Sequence, residues 1–142
     1  MYKLVAFDAY GTLFDVYSMG QLAEEIFPGH GQALVLMWRD RQIEYTRLVT
    51  MSDPNPSGSK YYLSFWELTI RSLHYVCNRM DLELSRANEQ RLMDQYAKLT
   101  SFEDSLRVLK TMKEKNIATA ILSNGSKDML ATVVESNGLK PY

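Results

Sequence analysis

The sequence predicts an α/β protein, a doubly wound parallel-sheet core interrupted by a long helical block. Three observations carry this expectation. The apolar run Leu4-Val5-Ala6-Phe7 ends in Asp8 and a turn that contains Gly11. A second apolar run, Ile117-Ala118-Thr119-Ala120-Ile121-Leu122, ends in Ser123-Asn124-Gly125 and passes directly into a helical pattern. Between them the apolar residues recur mostly at helical spacing. Strands separated by helices pair in parallel, and open sheets of this kind build their sites at the carboxyl ends of the strands.

Each element follows from local chemistry. Residues 3–8 read as the first strand. A helix is expected over 18–27, with Ser18 as a cap and Leu22, Ala23, Ile26 and Phe27 at helical spacing, and Pro28-Gly29-His30-Gly31 breaks it. The segment 32–50 predicts a long helix with Leu34, Trp38, Tyr45 and Leu48 along one side. Ser52-Asp53-Pro54-Asn55-Pro56-Ser57-Gly58-Ser59 is the clearest loop. Residues 61–79 return to helical periodicity, with a stripe of Trp66, Ile70, Leu73 and Cys77. A further helix covers 85–98, where Ser85 can cap and Leu92 and Tyr96 face inward. From about residue 103 a short helix (Leu106, Leu109, Met112) leads into the second strand, and Ser126 opens a last helix carrying Leu130, Val133 and Val134. Two strands and two flanking helices bury too little area alone, so the helical block has to be ordered as well.

Composition narrows the function classes. With 142 residues, 46% of them hydrophobic and 23% charged, the chain has room for one ordinary globular domain or a small core with an insertion. A formal net charge of −1 gives no reason to expect nucleic acid or an anionic membrane as partner. No apolar stretch approaches a membrane span, and the chain opens on a strand rather than a signal peptide. The single cysteine, Cys77, cannot form an internal disulfide, which fits a reducing cytoplasm. Its place in an apolar stripe predicts a packed thiol. His30 and His74 fall in no metal-ligand spacing, and neither a phosphate loop nor a Ser-His-Asp arrangement is evident.

The chemistry concentrates in Phe7-Asp8-Ala9-Tyr10-Gly11-Thr12-Leu13-Phe14, followed by Asp15. An isolated Asp after a strand is more often a turn former than a nucleophile. The whole octet, however, resembles the first motif of the haloacid dehalogenase superfamily. Phosphatases of that superfamily usually carry a second Asp two residues after the nucleophile, to protonate the leaving oxygen. Here that position is Tyr10, whose hydroxyl titrates near ~10 and is a poor acid at neutral pH. Halide leaves as a stable anion and needs no proton. Losing the second carboxylate also weakens a site for Mg²⁺, which prefers hard oxygen ligands. The resemblance therefore points to the (S)-2-haloacid dehalogenases (the type II, or L-2-haloacid, group).

Two further segments extend it. Leu122-Ser123-Asn124-Gly125-Ser126 is an everyday turn by itself, yet it matches the second dehalogenase motif at the end of the second core strand. Trp38-Arg39-Asp40-Arg41-Gln42-Ile43-Glu44-Tyr45-Thr46 resembles the dehalogenase cap helix. A lone helical Arg is normally solvated and paired with a neighbour such as Glu44 or Asp40; the resemblance places Arg39 on the family's halide-binding arginine. It implies Asp8 as nucleophile and Thr12 as the residue that orients it. Arg39 and Asn124 hold the halide, and Ser123 with amides near Ala9 and Tyr10 holds the substrate carboxylate. Tyr10 and Phe65 help enclose the substrate, with simple packing as the rival role for both.

The resemblance implies an incomplete core of residues 1–14 and 98–142 with a helical cap at 15–97. It implies no cofactor and no metal. It also implies a family sequence that continues beyond this one, with a lysine motif and a water-positioning cluster still to come; Lys140 lies too near the second motif to be that lysine. The expectation is a truncated chain, impaired in turnover and associating into a homo-oligomer through an uncovered sheet edge. Two alternatives stand beside a small-molecule 2-haloacid substrate: a Mg²⁺-dependent phosphatase of the same fold, and an inactive fragment that self-associates.

Overall fold

The computed structural model describes residues 3–53, 55 and 58–142. In chain order the elements are strand β1 (Leu4–Phe7), a 3-10 turn (Val16–Met19), and helices α1 (Gly20–Ile26), α2 (Gly31–Met51), α3 (Phe65–Arg79), α4 (Arg86–Tyr96) and α5 (Glu103–Glu114), then strand β2 (Ala118–Ile121) and helix α6 (Lys127–Ser136). They form two compact units, Met1–Ser18 with Gln95–Tyr142, and Met19–Asp94.

In the first unit β1 and β2 pair in parallel, Leu4 opposite Ala118 and Phe7 opposite Ile121. Parallel pairing requires a long crossover, and the helical residues between the strands supply it. The ladder continues past β2, where the Leu122 amide donates to the Phe7 carbonyl at 2.9 Å. Val5, Phe7, Thr119 and Ile121 are half-buried, while Leu4, Ala6, Ala118 and Ala120 are exposed. Leu13, Phe14, Leu109, Met129, Val133 and Leu139 are buried beside them. An apolar cavity of about 180 Å³ lies among Phe7, Leu13, Leu109, Ile121, Val134 and Leu139. The start of α6 is capped by Ser126, whose hydroxyl accepts from the Met129 amide. After its end Asn137 ties three segments together, donating to the Leu99 and Val133 carbonyls and accepting from the Ser101 amide, all at 2.8 Å.

In the second unit α2 packs against α1 and α3. Its buried face is Leu34, Val35, Trp38 and Gln42. The Glu24 carboxylate of α1 accepts from the Gly29 and Gly31 amides, holding the turn into α2. Ser64 and Glu67 form a reciprocal capping box at the start of α3. The Ser85 hydroxyl accepts from the Asn88 amide at the start of α4, and Leu92 and Tyr96 are buried on that helix, as their spacing predicts. Among the described residues no helix is long and apolar enough to cross a membrane.

Several expected details are corrected. Ser18 does not cap α1; it sits within the 3-10 turn and its hydroxyl donates to the Asp15 carbonyl at 2.7 Å. The third helix starts at Phe65 rather than 61, because Ser64 adopts the extended backbone of a cap. Its buried stripe is Phe65, Leu68, Thr69, Ser72, Leu73, Val76 and Cys77, with Trp66 and Ile70 only half-buried. Small polar residues that bond within the helix can face inward, which an apolar count overlooks. Leu48 is 57% exposed and lies off the buried face of α2. Of the expected loop at 52–59, Pro54, Pro56 and Ser57 lie outside the described residues.

Candidate active site

The parallel register sets the ends of β1 and β2 side by side. Phe7 faces Ile121, so Asp8 and Ser123 both emerge just beyond the same edge of the sheet. Asp8 is exposed, and the Thr12 hydroxyl donates to its Oδ2 at 3.4 Å, a long bond. The turn that brings Thr12 back is organised by Ala9, which is fully buried. Its carbonyl accepts from the amides of Thr12, Leu13 and Phe14 at 3.3, 2.9 and 3.0 Å. Gly11 has φ +99° at the apex, in the left-handed region where a β-carbon is costly. Asp15 closes the segment: its amide donates to the Thr100 carbonyl and its carboxylate accepts from the Tyr17 amide at 2.9 Å. That makes Asp15 a local turn-capping residue.

Tyr10 points into the unit. Its ring stacks on Tyr96 at 5.7 Å between centroids and leans on Phe14 at 6.5 Å. A β-carbon built on Gly125 would meet the Tyr10 ring at 2.8 Å, so the second motif packs its glycine directly on the first motif's tyrosine. Burial, and to a lesser degree Tyr96, pushes the Tyr10 hydroxyl well above the usual phenol range. It therefore holds its proton more tightly still than a free tyrosine, and cannot stand in for a carboxylic acid that protonates a leaving group. Beside it, the Ser123 hydroxyl accepts from the Gly125 amide at 3.1 Å, and Asn124 is exposed. Asp8, Ala9, Tyr10, Thr12, Ser123 and Asn124 are thus gathered at one sheet edge of the first unit.

Arg39 and Phe65 belong to the second unit. Arg39 is half-buried, and its Nη1 donates to Gln42 Oε1 at 2.9 Å. Gln42 in turn donates to Thr69 Oγ1 at 2.6 Å, and Thr69 donates to the Phe65 carbonyl at 2.7 Å. The indole N–H of Trp38 and the Ser72 hydroxyl both donate to the Thr69 carbonyl. Gln42 and Thr69 are both essentially inaccessible to solvent. A buried polar chain therefore grips the guanidinium of Arg39. Arg41 behaves differently: it pairs with Glu44 at 2.6 Å and lies 4.0 Å over the Tyr75 ring. Phe65 is buried, and its carbonyl anchors the polar chain. Cys77 is packed, and burial pushes its thiol up to about 11, too high for a nucleophile at neutral pH.

Sequence reasoning alone missed Gln42, Thr69 and Tyr96 as parts of this machinery. The signal for the first two was a polar residue at i+3 from Arg39 and another on the buried face of α3. Both would be costly in those positions unless they bonded to each other.

Comparisons with known proteins place the chain in a family. A family model described as haloacid dehalogenase-like hydrolase matches residues 2–142. The (S)-2-haloacid dehalogenase of Pseudomonas sp. strain YL is 36% identical over 138 residues, 97% of this chain and 56% of the relative. Haloacetate dehalogenase H-2 of Moraxella sp. strain B is 34% identical, over 97% of this chain and 58% of the relative. The chain thus spans little more than half the length of these relatives. Among solved structures, the L-2-haloacid dehalogenase RSc1362 superposes with a TM-score of 0.90 at 44% identity, over 97% of this chain and 60% of that one. The Xanthobacter autotrophicus L-2-haloacid dehalogenase with chloropropionic acid covalently bound gives 0.87 at 34% identity, over 99% of this chain and 54% of that one. The family model spans nearly the whole chain and these relatives are more than 30% identical over 97% of it, so the chain belongs to the haloacid dehalogenase-like hydrolases.

Proposed function

We propose that this chain works in hydrolytic dehalogenation, acting on short (S)-2-haloalkanoic acids to give (R)-2-hydroxy acids. One observation carries the reading: an exposed aspartate, bonded by Thr12, whose neighbour at the acid position is a buried, proton-retaining tyrosine. A nucleophile without a leaving-group acid suits a leaving group that needs no proton. The names of the relatives support the same choice, and the bound chloropropionic acid of one of them supports a covalent route.

In this reading a carboxylate oxygen of Asp8 attacks the halogen-bearing carbon in line. The new C–O bond forms as the carbon–halogen bond breaks, the halide departs with the electron pair, and the centre inverts. Water then attacks the Asp8 carbonyl of the ester, the acyl–oxygen bond breaks, and the 2-hydroxy acid leaves with an oxygen that began on Asp8. Thr12 orients the nucleophile. Ser123 and amides near Ala9 and Tyr10 hold the substrate carboxylate, while Asn124 and Arg39 stabilise the departing halide. Guanidinium suits that task because it stays protonated and is weakly hydrated. Phe65 and Tyr10 wall the substrate. Residues 1–14 and 98–142 act as the core and 15–97 as the cap.

The test is a single turnover of 2-chloropropionate in ¹⁸O-labelled water, using a form of the enzyme that is active. Unlabelled oxygen in the first product and label retained on Asp8 are expected. Label in the first product excludes the ester route, and turnover of a phosphate ester that depends on Mg²⁺ moves the assignment to the phosphatases.

A further inference from the structure

Helix α2 carries two arginines that each bond a partner three residues on, and the two partners differ in charge. Arg41 pairs with the Glu44 carboxylate at 2.6 Å, with the two side chains 28% and 53% exposed. Arg39 donates through Nη1 to the Gln42 amide oxygen at 2.9 Å, and Gln42 is only 1% exposed. The spacing is the same and the chemistry is not. One guanidinium meets a carboxylate at the surface, while the other is held from inside the unit by a neutral amide.

The count of protons fixes which way that amide points. The Thr69 hydroxyl has a single proton and donates it to the Phe65 carbonyl at 2.7 Å. Toward Gln42 it can therefore only accept, and it accepts from Nε2 at 2.6 Å. With its nitrogen turned to Thr69, Gln42 presents its oxygen to Arg39. The Thr69 carbonyl takes the Trp38 indole N–H at 2.9 Å and the Ser72 hydroxyl at 2.8 Å, so the far end of the chain is fixed to α2 and α3 together.

We infer that Gln42 and Thr69 are positioning residues that hold Arg39 in one orientation without cancelling its charge. The inference rests on the reading of Arg39 as the cation that stabilises the departing halide. A carboxylate in place of Gln42 would make the stronger, charge-assisted bond, but it would neutralise the guanidinium just where an anion has to be attracted. An apolar side chain would leave the charge whole and the guanidinium loose, and a long side chain that must be ordered at each turnover gives up stabilisation. The neutral amide meets both needs. Thr69 is required with it, because a valine of the same shape could not accept from Nε2 and the amide would lose its direction.

Nitrogen-15 NMR of the arginine side chains in the intact chain, titrated with sodium bromide at constant ionic strength, tests this. Arg39→Lys and Arg41→Lys assign the signals, and Arg41 serves as the reference within each spectrum. In the unmodified chain the Arg39 guanidinium is expected to rotate slowly and to shift saturably with bromide, while Arg41 does not respond. Gln42→Glu is expected to keep that slow rotation yet weaken bromide by about tenfold or more. Gln42→Leu is expected to free the rotation and weaken bromide as well. Thr69→Val should behave as Gln42→Leu does, and Thr69→Ser should restore the original behaviour. If circular dichroism shows that Gln42→Glu does not fold, the two Thr69 variants test the same hold from its far end. Unchanged bromide binding in folded Gln42→Glu, or in Thr69→Val, overturns the inference while leaving the halide to Arg39. An Arg39 signal that ignores bromide in the unmodified chain overturns the reading of Arg39 itself, and the inference with it.

Discussion

The helical unit links buried polar side chains to one another, whereas the sheet unit holds its groups by backbone turns beside a pair of strands whose outer backbone rows meet no further strand among the described residues. In the helical unit the Arg39–Gln42–Thr69 chain is bonded from end to end with Gln42 and Thr69 buried. In the sheet unit Leu4 on β1 is 55% exposed and Leu122, just beyond β2, is 77% exposed. The contrast follows from backbone chemistry. A helix satisfies its own amides and carbonyls, so a few helices can close around one another. A strand satisfies them only through neighbours, and two strands leave an outer row on each. The difference extends to the proposed chemistry. The first unit offers groups positioned by backbone turns at strand ends, and the second offers a cation gripped by side chains.

The largest effect expected is that of Asp8→Asn in the sheet unit. Asparagine keeps the shape of an exposed side chain and loses the nucleophile, so turnover should fall by roughly 10⁴-fold or more with the melting temperature unchanged. A loss of stability in its place would make Asp8 a turn residue and erase the contrast between the units.

Arg39→Lys against Arg41→Lys probes the other side. Lysine retains the charge but loses the planar fork, so the bond to Gln42 and the dry placement of the cation suffer. Turnover is expected to drop on the order of a hundredfold for Arg39→Lys, since small misplacements of reacting groups carry that cost. Arg41→Lys should stay within about twofold, because its partners Glu44 and Tyr75 lie on the surface. Equal small losses would return Arg39 to the role of a solvated helix residue.

Gly125→Ala tests whether the two motifs of the sheet unit act as one packed piece. The added carbon meets the Tyr10 ring at 2.8 Å, and that ring is stacked on Tyr96. Overpacking of this kind costs about 1–3 kcal/mol. Thermal unfolding should show that loss, and the fluorescence of Trp38 and Trp66, both in the helical unit, should report it only through global unfolding. No change in stability would mean that Tyr10 moves aside freely.

The parts that were legible in the sequence share one property: their signal is local. The strand ends at Asp8 and Ser123 and the four-residue return to Thr12 follow from turn chemistry and from the resemblance of the motifs. The buried positions of Leu92 and Tyr96 follow from helical period alone. What stayed hidden depends on partners far along the chain. Thr69 faces inward because Gln42, 27 positions earlier, bonds to it. The register of Phe7 with Ile121 is set across the whole helical block. Leu48 illustrates the converse error: it is apolar and near helical phase with Leu34 and Trp38, yet drift over three turns carries it off the buried face.

The smallest effect expected separates the units by acid. Glu67 accepts from the amide and hydroxyl of Ser64 at 2.9 and 2.8 Å, and these bonds hold its carboxyl below the ordinary glutamate range. Glu24, also in the helical unit, is lowered in the same direction by the Gly29 and Gly31 amides. A carboxylate whose folded pKa lies below its unfolded value contributes stability that is fully present above the unfolded value and is lost as pH falls through the folded one. Both side chains are open to water, so each contribution is small. Glu67→Gln retains an acceptor of the same shape but cannot titrate. Its melting temperature should lie slightly below that of the unmodified chain at pH 7, and the two should converge as the pH falls through the lowered folded pKa of Glu67 and its carboxylate is protonated. A gap that stays constant with pH would mean that shape rather than charge sustains the cap of α3.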